Sequence, residues 1–241
     1  SLNSDQGWED AVMGCDTILH TASPFPSKAP KSENDLILPA KEGTLRLLRA
    51  ALNQSITRVV ITSSNAAVYD GNKHISDFDE KVWTNIDANG VSAYTKSKTI
   101  AEKAAWEFVS NNPTIQLTSI NPVLVWGPGI GNHLGSASLK IYKMLMNREM
   151  PMLPRMKAPL VDVRDVAKAH VEAIQNSQSV GNRFLLCENT YWMKDISLKM
   201  KSVGLNPPTS IAPDFLIKFL SLFDTTLKEA VSKLGYDYSI D

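Results

Sequence analysis

Residues 58–70 read Arg-Val-Val-Ile-Thr-Ser-Ser-Asn-Ala-Ala-Val-Tyr-Asp, and residues 93–110 read Ala-Tyr-Thr-Lys-Ser-Lys-Thr-Ile-Ala-Glu-Lys-Ala-Ala-Trp-Glu-Phe-Val-Ser. The first stretch opens with Arg58 to Thr62, a run rich in β-branched side chains that suits a pleated strand. It leaves that run through small polar residues, Ser63-Ser64-Asn65, and reaches a turn at Asp70-Gly71-Asn72. The second stretch sets Ala101, Ala104, Ala105 and Phe108 at helical spacing, which predicts a helix over 93–110. Gln116 to Asn121 is the next strand, closed by Pro122, which has no amide to donate. Strand, helix, strand in that order is the unit of a parallel sheet with helices on its faces.

The same alternation extends in both directions. Upstream, Trp8 to Met13 is a short helix stopped by Gly14, and Thr17 to Thr21 is a buried-strand candidate. The loop Ser23-Pro24-Phe25-Pro26 breaks it. From Glu33 to Asn53, apolar residues such as Leu36, Ala40, Leu47, Leu48 and Leu52 recur three and four apart, an amphipathic helix with a candidate interruption at Pro39. Downstream of Gly127-Pro128-Gly129 the pattern loosens. A helix is expected over 138–147, a loop between Pro151 and Pro154, and a helix from an Asp165 cap to about Gln175. Arg183 to Cys187 reads as a last strand, and the chain from Tyr191 on as helix and loop in a smaller lobe.

Composition narrows the function classes. The 241 residues hold 25 Lys+Arg and 25 Asp+Glu, so the formal net charge is zero. A broad nucleic-acid surface would need a basic excess, so no nucleic-acid partner is expected. No apolar run approaches the ~18 residues of a membrane helix, so no membrane partner is expected either. Cys15 and Cys187 cannot build a disulfide framework and lack metal-ligand spacing. Both stand in apolar, strand-like contexts and read as buried thiols, consistent with a cytoplasmic, reducing setting. His20, His74, His133 and His170 are scattered without paired spacing, so no metal site is expected. His170 reads as a capping or surface residue, and the five tryptophans as packing residues.

Open parallel sheets bind ligands beyond the carboxyl ends of their strands. That rule selects His20-Thr21-Ala22-Ser23, Thr62-Ser63-Ser64 and Asn121-Pro122-Val123-Leu124-Val125. On the helix after the second strand, Tyr94 and Lys98 are four residues apart and therefore share a face. A free phenol has a pKa of about 10, and a nearby ammonium favours its anion. The pair suits proton transfer to or from an alcohol or carbonyl oxygen. Ser64, or its neighbour Ser63, is placed by the sheet rule to donate to the same oxygen. Tyr69 and Lys73 have the same spacing, but Asp70-Gly71-Asn72 between them breaks helical geometry.

With these residues in view, the chain resembles the extended short-chain dehydrogenase/reductase family, in its dihydroflavonol reductase, cinnamoyl-CoA reductase and methylglyoxal/aldehyde reductase branch. The resemblance rests on GCDTILHTASPFP (14–26), RVVITSSNAAVYD (58–70), AYTKSKTIAEKAAWEF (93–108), INPVLVWGPG (120–129) and PLVDVRDVAKAH (159–170), in the family's order. It implies a Rossmann-type α/β fold, a doubly wound parallel sheet lacking its N-terminal βαβ part, with a small C-terminal substrate lobe. Residues 1–125 and 160–190 would form the NAD(P)-binding core, and 126–159 with 191–241 the substrate lobe. It also implies NADP(H)-dependent, less so NAD(H)-dependent, reduction of an aldehyde or ketone by a monomer or homodimer. Tyr94 would be the general acid/base, Lys98 would lower its pKa and bond the nicotinamide ribose, and Ser64 would bind the substrate oxygen. Thr21, Ala22, Ser23 and Thr62 would border the cofactor, with Leu2 near the adenine. Pro122 and Val125 would meet the nicotinamide, and Ser136 or Ser138 the phosphates. Phe25, Asn65 and Trp126 would line the substrate.

One departure from the family is large. No glycine-rich turn for the pyrophosphate precedes these motifs, so the sequence is expected to be a trimmed piece of an enzyme with about 60 further upstream residues. Two other functions share the features: a nucleotide-sugar epimerase or dehydratase using the same Tyr/Lys pair, and a non-catalytic dinucleotide-sensing protein. The intact Ser64, Tyr94 and Lys98 set weighs against the second.

Overall fold

A computed structural model describes residues 1–24, 30–72, 78–130, 137–213 and 215–216. The chain forms two compact units, Ser1–Val123 with Arg164–Leu186 and Leu124–Val163 with Cys187–Asp241.

In the first unit, β1 (Thr17–His20), β2 (Arg58–Thr62), β3 (Gln116–Pro122) and β6 (Arg183–Leu186) form an all-parallel sheet in the order β1-β2-β3-β6. Side chains alternate across a strand, and β2 uses both faces. Val59 and Ile61, with Leu117 of β3, pack against Leu47, Leu48 and Ala51 of α2 (Asn34–Asn53) and Ala105 of α3 (Ala93–Asn111). Val60 and Ile120 pack on the opposite face with Ala173 of α5 (Val163–Gln175). Helices on both faces of a parallel sheet make the doubly wound arrangement expected from the sequence. The short α1 (Trp8–Val12) closes at Gly14, whose φ of 75° is a conformation that glycine adopts without a Cβ clash.

The α2 helix runs through Pro39 without interruption. Burial of Leu36, Ala40, Leu47, Leu48, Ala50 and Ala51 along one stripe holds it, which outweighs the single amide that Pro39 fails to supply. The α5 helix begins at Val163, so Asp165 is a first-turn acid inside it and not its cap. The preceding strand feeds directly into the helix, leaving no loop residue for a cap.

The second unit holds a sheet that the sequence pattern did not predict. Its strands are β4 (Leu124–Trp126), β5 (Lys157–Asp162) and β7 (Asn189–Trp192), in the order β4-β5-β7. The β4–β5 pair is parallel and the β5–β7 pair antiparallel. Pro159 obscures β5, because a proline argues against a central strand. Its position resolves the conflict: β4 pairs only with Leu160 to Asp162, whereas Pro159 faces Thr190 of β7 alone. The segment around Tyr191, expected as helix and loop, begins in β7 and continues as α6 (Met193–Ser202). Leu145 of α4 (Ala137–Met146), Leu153, Ala158, Met193 and Met200 form this unit's apolar core.

Both cysteines are exposed, against the expectation of buried thiols. Each stands outside its strand, Cys15 ahead of Thr17 and Cys187 after Leu186, so neither gains burial from the sheet. His170 is also corrected. It is 6 % exposed, faces the sheet from α5, and bonds Thr62.

Candidate active site

The β2 strand ends at Thr62, and Ser63 and Ser64 continue from it at the sheet's carboxyl edge. Ser64 is extended, with φ −162°, and caps a 3₁₀ turn over Asn65–Ala67. Its hydroxyl accepts from the Ala66 amide at 3.2 Å and donates to Asn65 Oδ1 at 3.3 Å. The α3 helix starts beside it. Ser92 caps that helix by accepting from the Thr95 amide at 3.1 Å, which sets Tyr94 in the first turn. Lys98, one turn further, is 8 % exposed, and its Nζ lies 5.9 Å from the centroid of the Tyr94 ring.

The Ser64 side chain lies close enough to the Tyr94 phenol to favour its anion. Burial raises the phenol's pKa above its ordinary value, and the neighbouring Ser64 hydroxyl works in the opposite direction. The phenol therefore holds its proton near neutral pH. The sequence reading expected an ammonium to pull Tyr94 toward its anion; in the structure desolvation is the larger effect. Burial also lowers the Lys98 pKa to about 8, with Glu102 opposing that fall. His20 is buried and lowered to about 4, first by desolvation and then by the Lys98 charge. Its Nε2 has no hydrogen-bond partner among the described residues.

A cavity opens at the carboxyl ends of β1 and β2. Ala22, Ser23, Thr62, Ser63 and Lys98 line it, with His20 at its inner wall. These residues could border a dinucleotide near its ribose: small side chains leave room for close approach, and Lys98 offers an ammonium. Thr21 is exposed beside them. The Thr62 hydroxyl is committed to His170 Nε2 at 2.7 Å. Leu2 packs over α2, where a Cβ added to Gly43 would come within 2.5 Å of its Cδ2. Arg46 of the same helix bonds the Leu2 carbonyl at 2.6 Å and pairs with Asp5.

Of the remaining expected site residues, Asn65 lies beside Ser64, and Pro122 closes β3 as a buried residue. Val125 and Trp126 belong to the second unit, in β4. The Trp126 indole donates to the Ser138 carbonyl at 2.9 Å and meets Tyr142 edge-on at 5.9 Å between ring centroids. Phe25 and Ser136 lie outside the described residues, as does Lys73 of the competing Tyr/Lys match. Among the described residues no group of three His, Cys, Asp or Glu could hold a metal ion, and no helix is long and apolar enough to cross a membrane.

Sequence reasoning did not single out Glu102 or Arg183, which with Asn121, selected only as part of the third strand end, form a buried polar cluster behind Ser64. One signal was present. Tyr94, Lys98 and Glu102 continue the same four-residue spacing, so the acid lies on the same helix face as the phenol and amine.

Comparison with known proteins agrees with this architecture. Residues 2–208 match the 3-beta hydroxysteroid dehydrogenase/isomerase family. The NADPH-dependent methylglyoxal reductase of Saccharomyces cerevisiae is 38 % identical over 198 residues, covering 74 % of this chain and 58 % of that protein. A cinnamoyl-CoA reductase of Medicago truncatula is 32 % identical over 246 residues, covering 99 % of this chain and 74 % of the relative. The crystal structure of a yeast methylglyoxal/isovaleraldehyde reductase complexed with NADPH superposes with a TM-score of 0.76 at 33 % identity, over 87 % of this chain and 68 % of that one. The chain thus spans between about half and three quarters of the length of the relatives it matches.

Proposed function

The chain belongs to the 3-beta hydroxysteroid dehydrogenase/isomerase family, within the reductase branch of the extended short-chain dehydrogenases, and from that premise we propose that the protein containing it reduces a small aldehyde or ketone with NADP(H). The observation that carries the reading is the convergence of three side chains: Ser64 beside the Tyr94 phenol, and the Lys98 amine 5.9 Å from the Tyr94 ring centroid.

Each group has a distinct task. Ser64 donates to the carbonyl oxygen and polarises it. Tyr94, protonated because it is desolvated, delivers its proton to that oxygen as the alcohol forms. The phenolate left behind is stabilised by three features: the Lys98 ammonium, the Ser64 hydroxyl and the N-terminal end of α3. Proton transfer restores Tyr94 from solvent before the next cycle. When bound, NADPH supplies the hydride to the carbonyl carbon. Residues suited to hold it are Ala22 and Ser23 at the end of β1, Thr62 at the end of β2, and Lys98, because they border one cavity with small or donor side chains. The NADPH-dependent yeast methylglyoxal reductase and the NADPH-bound yeast reductase structure support this cofactor and substrate class.

The test is loss of NADPH absorbance with a panel of small aldehydes and ketones, using the full-length protein. Tyr94→Phe is expected to lower kcat by about 10²–10⁴-fold with the melting temperature nearly unchanged. Equal turnover by Tyr94→Phe and its parent, or no turnover on any carbonyl, rejects the reading.

A further inference from the structure

Glu102 is 1 % exposed, yet it carries a carboxylate whose two oxygens are met by donors from four residues of the first unit. Its Oε2 accepts from the Ser63 hydroxyl at 2.6 Å and from the Asn121 amide at 2.8 Å. Its Oε1 accepts from Arg183 Nε at 2.6 Å and from the Trp106 indole at 3.3 Å. The same Asn121 amide nitrogen donates to the Ser64 carbonyl at 3.1 Å. A carboxylate buried this deeply persists only when its lone pairs are met by good donors. Here those donors flank Ser64 on two sides. One is the side chain immediately before it in sequence, and the other grips its own carbonyl.

Glu102 also stands one turn beyond Lys98 and two beyond Tyr94 on α3, so all three occupy one line along the helix. The geometry points to Glu102 as a positioning residue: it fixes the Ser63–Ser64 turn and the Lys98 amine in register with the Tyr94 phenol. The consequence for turnover rests on the reductase reading above, whereas the consequence for Lys98 does not.

The charges facing Lys98 make its dependence on Glu102 direct. Along α3 they are Tyr94 and Glu102, and from β1 comes His20, which burial keeps neutral near pH 7. From α2, β2 and the residue after β2 the cavity receives Ala40, Thr44, Thr62 and Ser63, none of them charged. Beyond Glu102, Arg183 of β6 pairs with it and partly offsets its field. Glu102 is thus the acid that opposes the desolvation of the ammonium. Removing its charge should let the amine lose its proton at lower pH.

The experiment uses the full-length protein and two readouts. Competitive amine acylation followed by mass spectrometry gives the Lys98 titration midpoint without any turnover. The pH profile of kcat/KM gives the limb that depends on it. For Glu102→Gln the midpoint is expected to fall by about one pH unit from its value near 8, with the alkaline limb following it. kcat is expected to drop more than KM rises, because the serine loses its alignment while binding groups stay in place. A lower melting temperature with an unmoved Lys98 midpoint overturns the assignment. Should Glu102→Gln fail to fold, Ser63→Ala keeps the acid and removes one of its donors. It is expected to lower kcat about tenfold with the Lys98 midpoint unchanged, and unaltered kcat would overturn the serine half of the proposal. If Tyr94→Phe is as active as its parent, the reductase reading fails, while the acylation readout still decides the role of Glu102.

Discussion

Buried ionisable side chains set how this protein responds to pH. His20 has a folded pKa of about 4 against an ordinary value of 6.5, because desolvation and the Lys98 charge disfavour its cation. Between those values the unfolded chain binds more protons than the folded one, so stability falls as pH drops from 6.5 toward 4. Chemical denaturation at pH 7 and pH 4.5 should show this loss, on the order of a few kcal/mol. His20→Gln should show a smaller one, and an identical loss in the variant would mean that other groups carry it. Lys98 acts at the other end of the scale. Its folded pKa is about 8 and its ordinary value 10.5, so burial of the ammonium opposes folding at neutral pH, and the penalty fades as pH rises through that window. The charge needed beside Tyr94 is lost over the same range. Carbonyl reduction should therefore decline above pH 8, and a rate that keeps rising through pH 10 would show that the ammonium is dispensable.

Helices and strands here owe their stability to one shared surface more than to local preference. In α2, Leu48 is fully buried between the helix and β2, and Leu47, Ala50 and Ala51 flank it. Leu48→Ala should cost about 2–5 kcal/mol by leaving a cavity in close-packed surroundings. Urea denaturation would detect it, and a cost under about 1 kcal/mol would mean that α2 is held elsewhere. The same burial explains why Pro39 does not break α2, whereas pairing on one side only explains why the proline-bearing run Lys157–Asp162 can be a strand. Local rules mark a proline as an interruption, but the outcome depends on whether a neighbour needs the missing amide. That neighbour is fixed by tertiary register, which no window of sequence contains.

Across the first unit, buried cations fasten the flanking helices to the sheet. Arg58, 7 % exposed on β2, donates to the Gln116 carbonyl at 2.6 Å, to Thr118 Oγ1 at 2.7 Å and to Ser179 Oγ at 2.6 Å, and it also bonds the Ala173 carbonyl of α5. This fork joins β2, β3, α5 and the turn after α5 through neutral acceptors. Arg58→Lys keeps the charge but cannot meet acceptors in several directions at once, so it should lower stability by about 2–4 kcal/mol. Thermal unfolding at neutral pH would register it, and an unchanged melting temperature would place the sheet–helix linkage elsewhere. Arg183 plays the matching part on β6, where it pairs with Glu102 and stacks over Trp83 at 3.6 Å from the ring centroid. Sequence by itself determined the parallel sheet, the starts of its strands at Thr17, Arg58, Gln116 and Arg183, and the Tyr94–Lys98 helix face, because each follows from short-range periodicity and the 3.6-residue turn. It could not supply the partners of Glu102 and Arg183, the burial of His170 or the sheet of the second unit. Those are contacts between residues tens of positions apart, whose hydrogen bonds exist only once the strands have fixed their order and register. The protonation of Tyr94 was decided the same way: spacing brought an amine near, but the depth of burial, a property of the folded unit, set which effect prevails.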